Sequence, residues 1–152
     1  MGLPMQGSEG AAGFALRAAI WAGNHERIRT SAAVVAGAPY SGLLSQCFRR
    51  AAEGAVAFVD GQPTEAVNAI REAVSGLDTL GQPFDAAEMA LDAVILMPGE
   101  PEIRRIAGEH RSVLESVDAR PELERLDEAL GSMPLTSPAT AAIRVEAPTS
   151  GS

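Results

Sequence analysis

Lysine is absent from this chain: all 12 basic residues are arginine, set against 20 Asp and Glu for a net charge of −8. That absence removes the phosphate-binding lysine of a P-loop and the amine of a Schiff-base nucleophile together. The acidic excess repels a phosphate backbone, so general nucleic-acid binding is not expected. The densest basic sites, Arg49-Arg50 and Arg104-Arg105, are only pairs and read as solvated helix faces. Cysteine is represented by Cys47 alone and histidine by His25 and His110, with neither HxxxH nor CxxC. No metal site and no intramolecular disulfide follow from such a set, and no cofactor is expected. Aromatics supply 4% of the residues, and no alternating run of β-branched residues has useful length, which argues against a barrel or sandwich. The N-terminal residues lack the charge and apolar pattern of a leader. The most apolar stretch, Met89 to Met97, is too short to span a bilayer and contains Asp92. A soluble, cytoplasmic protein is the expectation.

What the chain has in plenty is alanine, the strongest helix former and small enough for helices to approach closely. It also has punctuation. Gly37-Ala38-Pro39, Gly61-Gln62-Pro63, Gly81-Gln82-Pro83 and Gly99-Glu100-Pro101 repeat one pattern, with Ala119-Arg120-Pro121 a degenerate fifth copy. From Pro63 onward the prolines of the triplets, Pro63, Pro83, Pro101 and Pro121, fall at intervals of 20, 18 and 20 residues. Glycine suits the position just past a helix end, and proline suits the first helical position, where its missing N–H is not needed. Each triplet therefore ends one helix and begins the next, and connections this short make neighbouring helices antiparallel.

Between the triplets the apolar residues recur at helical spacing. The expected helices and inward residues are 43–60 with Leu44, Phe48, Ala51, Ala55, Phe58 and Val59, and 64–80 with Ala66, Ile70, Ala73, Val74 and Leu77. Next come 84–97 with Phe84, Ala87, Leu91, Val94 and Ile95, then 102–118 with Ile103, Ile106, His110, Val113, Leu114 and Val117. A shorter helix covers 122–130. Upstream, 9–22 places Phe14, Ala18 and Trp21 on one face, Gly23-Asn24 supplies a stop and a cap, and 25–36 turns Ile28, Ala32 and Val35 inward. The reading is all-α, about seven helices in antiparallel hairpins. Residues 1–8 are expected to be loose, 9–130 to form the domain, and the Pro-, Ser- and Thr-rich segment 131–152 to be a disordered tail.

The hairpin 43–80 resembles a tetratricopeptide repeat at its small-residue positions: Gly54, Ala66 and Ala73, at spacings of 12 and 7, with Ile70 between the alanines. The next hairpin departs from that pattern, because Arg104 and Arg111 fall about where its two alanines belong. The stretch from Gly61 to Leu130 also resembles the C-terminal helical-repeat region of large bacterial signalling proteins, the adenylate/guanylate-cyclase-like and LuxR-type proteins with an upstream AAA-type ATPase. Gly61-Gln62-Pro63-Thr64-Glu65-Ala66 and Ala119-Arg120-Pro121-Glu122-Leu123 carry that likeness. It implies a short stacked solenoid acting as a regulatory scaffold, without the cyclase, the ATPase or the DNA-binding helices.

No catalytic constellation stands out. Cys47 with His110 is a conceivable nucleophile–base pair, but Cys47 sits beside Phe48 on an apolar stripe and reads as a small hydrophobe, and His110 as a core-edge histidine. Glu88 and Asp92, one helical turn apart, read as a solvated acidic face sooner than an acid/base pair. Gly7, Gly10 and Gly13 have the wrong spacing for a dinucleotide loop and read as a frayed helix start. Trp21 is expected to pack under the first hairpin. The chain thus reads as a non-enzymatic module that binds a protein or peptide, with Arg49, Arg50, Glu53, Glu88 and Asp92 as candidate groove residues, and it is compatible with an oligomer. Two alternatives stand beside this: a fragment that completes a partner's repeat stack, and a small helical ligand sensor or enzyme with its pocket between hairpins.

Overall fold

The computed structural model describes residues 3–39 and 41–131. Within them lie eight α-helices and no strand: α1 (Leu3–Ala22), α2 (His25–Ala36), α3 (Leu43–Val59), α4 (Pro63–Thr79), α5 (Pro83–Leu96), α6 (Pro101–Glu109), α7 (Arg111–Ser116) and α8 (Arg120–Gly131). The chain is all-α, built of antiparallel hairpins. The expected helix over 102–118 is split at His110 into α6 and α7, and α1 starts at Leu3, six residues before the expected start at residue 9. The Pro/Ser/Thr-rich segment expected to be disordered lies, beyond Gly131, outside the described residues. No helix among the described residues is long and apolar enough to cross a membrane.

The glycine–proline punctuation works as its chemistry dictates at two of the four full copies. Pro63 and Pro83 are the first residues of α4 and α5, and Gly61 and Gly81 take φ values of +80° and +73° just past the preceding helices. Gln62 and Gln82 stand at the N-cap without a side-chain cap bond, which leaves these starts to the proline. At Gly99-Glu100-Pro101 the proline still opens α6, but α5 stops at Leu96 and Gly99 does not take a positive φ. Pro98 is the reason: it bars the helix and pushes Met97 to φ −125°, ψ 60°. At Gly37-Ala38-Pro39 the proline starts no helix, and α3 waits until Leu43. In the degenerate fifth copy the left-handed turn falls on Asp118, at φ +52°, one residue before the position that holds glycine in the full copies, and α8 starts at Arg120.

The tightest crossing is between α3 and α4. A methyl group built on Gly54 would lie 3.0 Å from Ala69 Cβ, 3.2 Å from the Ala66 carbonyl oxygen and 3.3 Å from Ile70 Cδ1. Ala66, Ala69, Ile70, Ala73, Val74 and Leu77 are all buried, so the inward face expected for α4 is the observed one. In α3 the buried residues are Ala52, Gly54, Ala55 and Ala57, while Leu44 is exposed and Phe48 and Phe58 are half-buried. In α1 the expected face is rotated: Ala19 and Ile20 are buried, and Phe14 is 72% exposed.

The centre of the molecule is α5. Ala86, Ala87, Met89, Ala90, Leu91, Ala93 and Val94 are buried, which leaves no wholly solvent-facing side along its middle turns. It packs against α1, α3, α4, α6, α7 and α8. A helix whose apolar arc is this wide has to be packed on several sides, which leaves only the narrow side of Asp85, Glu88 and Asp92 for polar groups. The apolar run from Met89 to Met97 therefore marks the central helix of the fold, not one stripe of a surface helix. Trp21, Ile95 and Leu96 touch both the main core and a smaller cluster of Ala19, Ile20, Ile28 and Ala55.

The two arginines at the positions of the missing repeat alanines have structural work. Arg104 donates to the carbonyl oxygens of Pro98 (3.1 Å) and Leu130 (2.5 Å), holding the last turn of α8 against the α5–α6 corner. Arg111 pairs with Glu115 at 2.8 Å and with Asp127 of α8. Arg104 is thus part-buried and not the solvated residue expected.

Gly54 and Gly108 make a matched test of this packing. Gly54→Ala adds a methyl group where three atoms already stand close, and the crowding is expected to outweigh the gain in helix propensity, destabilising by about 1–2 kcal/mol. Gly108→Ala meets nothing within 4 Å, and is expected to stabilise by about 0.4–1 kcal/mol. Urea melts of the two variants check the pair. A stable Gly54→Ala protein would refute close crossing of α3 and α4.

Candidate functional site

The first helices of the first three hairpins, α1, α3 and α5, wall a groove of about 600 Å³. The end of α2 closes one edge. Its apolar surface comes from Phe14, Leu16 and Ile20 of α1, Val34 and Val35 of α2, Leu44 and Phe48 of α3, and Met89 and Leu96 of α5. Three of these are conspicuously open to solvent: Phe14 at 72%, Val34 at 57% and Leu44 at 42% exposure. Large apolar side chains left exposed side by side around a concavity mark an interaction surface more often than isolated ones do.

A polar cluster sits on the α5 wall. Asp85, Glu88 and Asp92 recur at i, i+3 and i+7 and all face the groove. Arg17 of α1 meets two of them: its Nε donates to Asp92 Oδ1 at 3.0 Å, and its Nη1 pairs with Glu88. The Trp21 indole N–H donates to the same Asp92 oxygen at 2.8 Å. The guanidiniums of Arg17 and Arg125 lie 4.8 and 4.9 Å from the centre of the Trp21 ring, within cation–π range. Trp21 therefore ties α1 to α5 and reaches α8, a wider role than packing under its own hairpin.

Burial pushes the Asp92 carboxyl up to about 6, in spite of the opposing pull of Arg17 and of the hydrogen bonds from Trp21 and Arg17. Arg17 is held above its ordinary value: burial works to lower it, and the attraction of Asp92 and Glu88 together outweighs that. Its Nη2 is buried and makes no hydrogen bond with a described residue.

The candidate residues divide between two faces. Arg49, Glu88 and Asp92 line the groove, Arg49 donating to the Ala38 carbonyl oxygen at 2.6 Å. Arg50 and Glu53 lie elsewhere, in a shallower hollow with Arg29, Asp60 and Glu65. Arg50 there binds Glu53 at 3.0 Å, Glu65 at 3.0 Å and Glu72 at 2.7 Å, which raises its guanidinium well above the ordinary range. Adjacent residues on a helix point about 100° apart, so the two neighbours Arg49 and Arg50 could not share one face. Glu88 and Asp92 are part-buried and paired across helices, where a solvated acidic face was expected.

Sequence reasoning missed Arg17, Phe14, Val34 and Asp85. The signal within reach was the wrong placement of Phe14: α1 has its small buried pair at Ala19-Ile20, and that register turns Phe14 outward. Cys47 and His110 do not form a pair. Both ring nitrogens of His110 are taken, one by the Ile106 carbonyl oxygen and one by Asp78 Oδ2, each at 2.8 Å. Burial raises the Cys47 thiol, which disfavours the thiolate. Among the described residues no group of three His, Cys, Asp or Glu could hold a metal ion. No protein family, curated protein or solved structure matches the chain.

The Asp92 shift has a definite sign in stability. The folded-state value near 6 lies above the ordinary 3.8, so the folded protein holds this proton more tightly than the unfolded chain. The contribution is full below the unfolded value and is lost as pH rises through about 6. Between pH 6 and 4 the wild type is expected to gain on Asp92→Asn by about 1.4 kcal/mol per pH unit. Paired thermal or urea melts across that range read the difference. A wild type that loses ground to Asp92→Asn on acidification would mean that the Arg17 ion pair outweighs desolvation.

Proposed function

We propose that this chain is a helical-repeat protein-binding module, and that the groove between α1, α3 and α5 receives a segment of its partner. The observation that carries the reading is the exposure of Phe14, Val34 and Leu44 around one concavity. In helix-turn-helix repeat stacks the first helix of each hairpin lines the binding face, and α1, α3 and α5 hold that place in the order of elements. The small residues Gly54, Ala66 and Ala73 support the likeness to a tetratricopeptide repeat, since Gly54 meets Ala66 where α3 and α4 approach closely and Ala73 is buried on the same helix. A short solenoid serving as the scaffold of a bacterial signalling system is the fuller form of the same proposal, and its support is the sequence likeness over Gly61 to Leu130.

One observation favours a second reading, a small-ligand sensor or enzyme: the carboxyl of Asp92, raised to about 6, stands on the wall of a cavity of ligand size. Against it, one Asp92 oxygen, Oδ1, already accepts from both Arg17 and Trp21.

Panning a displayed random-peptide library against the protein tests the reading. The enriched peptides are expected to lose roughly tenfold or more in affinity for Phe14→Ser/Leu44→Ser, since burying each side chain is worth about 1.5–3 kcal/mol. The melting curve should not fall, because both residues are exposed in the free protein. Peptides indifferent to the double substitution would place binding elsewhere.

A further inference from the structure

We infer that the occupant of the groove is a cationic amphipathic helix, its apolar face on Phe14, Val34, Leu44 and Met89 and its basic edge on the acidic row of α5. The inference rests on the groove reading above and adds the partner's chemistry to it.

The secondary structure of the occupant follows from the walls. All three are helices, whose backbone N–H and C=O groups are bonded within the helix, so no sheet edge is offered to an extended chain. A segment entering this apolar space has to satisfy its own backbone, and a helix does so. The α5 wall from Asp85 to Leu96 is about 16 Å long at 1.5 Å per residue, the length of a three-turn helix.

The charge of the occupant follows from the balance along that wall. Five charged side chains line the groove: Arg17, Arg49, Asp85, Glu88 and Asp92. Arg49 sits on the far wall, bonded to the Ala38 carbonyl oxygen. Arg17 serves Glu88 and Asp92 together, one cation for two carboxylates. Asp85 has no hydrogen bond or ion pair with any described residue, although it is only half-exposed at the mouth of the groove. The α5 wall therefore carries acidic charge that no described residue neutralises, next to apolar side chains that stand exposed. An arginine or lysine projecting from the edge of a docked helix meets Asp85 and Glu88 there, while an acidic helix is repelled.

Two fluorescein-labelled synthetic peptides of about 14 residues, a Leu/Lys amphipathic helix and its Leu/Glu counterpart, test this by fluorescence anisotropy. The Leu/Lys peptide is expected to bind roughly tenfold or more tightly than the Leu/Glu peptide. Asp85→Lys should erase most of that preference, whereas Glu124→Lys, an equal change of net charge on the exposed face of α8, should leave it. Equal losses from the two substitutions would reduce the preference to overall charge and overturn the inference. Equal binding of both peptides, abolished by Phe14→Ser/Leu44→Ser, would overturn the cationic chemistry and leave the groove standing. Leu/Lys binding that ignores Phe14→Ser/Leu44→Ser, or no binding at all, would overturn both.

Discussion

A helix whose apolar face is too wide for a single stripe has to be packed on several sides, and the rest of this fold is arranged to surround α5. Seven of its fourteen residues are buried, spread over a wide arc of the helix, and six other helices contribute to the enclosure. The hairpin order alone supplies α4 and α6 as neighbours. The remaining sides need helices from the two ends of the chain, so α1 reaches past α2 and α3 to touch α5, and α8 folds back onto it from the other side. The arginines Arg104 and Arg111 then hold α8 in place where a regular repeat would have had alanines.

Bringing α1 onto α5 requires a polar contact in a place where charge is costly. Arg17, Asp92, Glu88 and Trp21 make that contact, and the elevated carboxyl of Asp92 records how much hydration the group has lost. A buried ion pair of this kind contributes little net stability against a well-packed apolar alternative, yet losing one partner is expensive. Its value here is specificity. The single indole N–H and the guanidinium meet one carboxylate oxygen only when α1 has the right register, so the cluster fixes the rotation that puts Ala19 and Ile20 inward and Phe14 out.

Much of this architecture was legible in the sequence because it depends on local chemistry. Pro63, Pro83 and Pro101 each open a helix, Gly61 and Gly81 each follow one, and Asn24 accepts from the Arg27 N–H as an N-cap should. The inward face of α4 was legible too, since one side of that helix is apolar and the other is not. Legibility failed where the answer depends on distant elements. Periodicity could not separate the central helix α5 from a surface helix, because both carry an apolar face and only the width of that face, set by distant elements, differs. It also could not set the register of α1, whose residues Phe14, Ala18, Ala19 and Ile20 offer two nearly equivalent stripes. The groove falls in the same class: Glu88 and Asp92 were visible as a pair one turn apart, but Arg17, which faces them, is 71 residues away in sequence from the nearer.

The distribution of the large apolar side chains gives the groove its energetic meaning. The chain has only four phenylalanines and packs its core chiefly with alanine, valine, leucine and isoleucine. Each exposed phenylalanine forgoes about 1.5–3 kcal/mol of burial free energy, in a chain of a size whose total stability is about 5–15 kcal/mol. Phe14 is nonetheless 72% exposed while its neighbours Val34 and Leu44 stand open around the same hollow. A stable core needs none of the three in that position, and polar residues there would lower the risk of aggregation. A covering partner, as proposed above, would account for their placement, and Asp85, together with the two acids that share Arg17, would favour a basic surface on it.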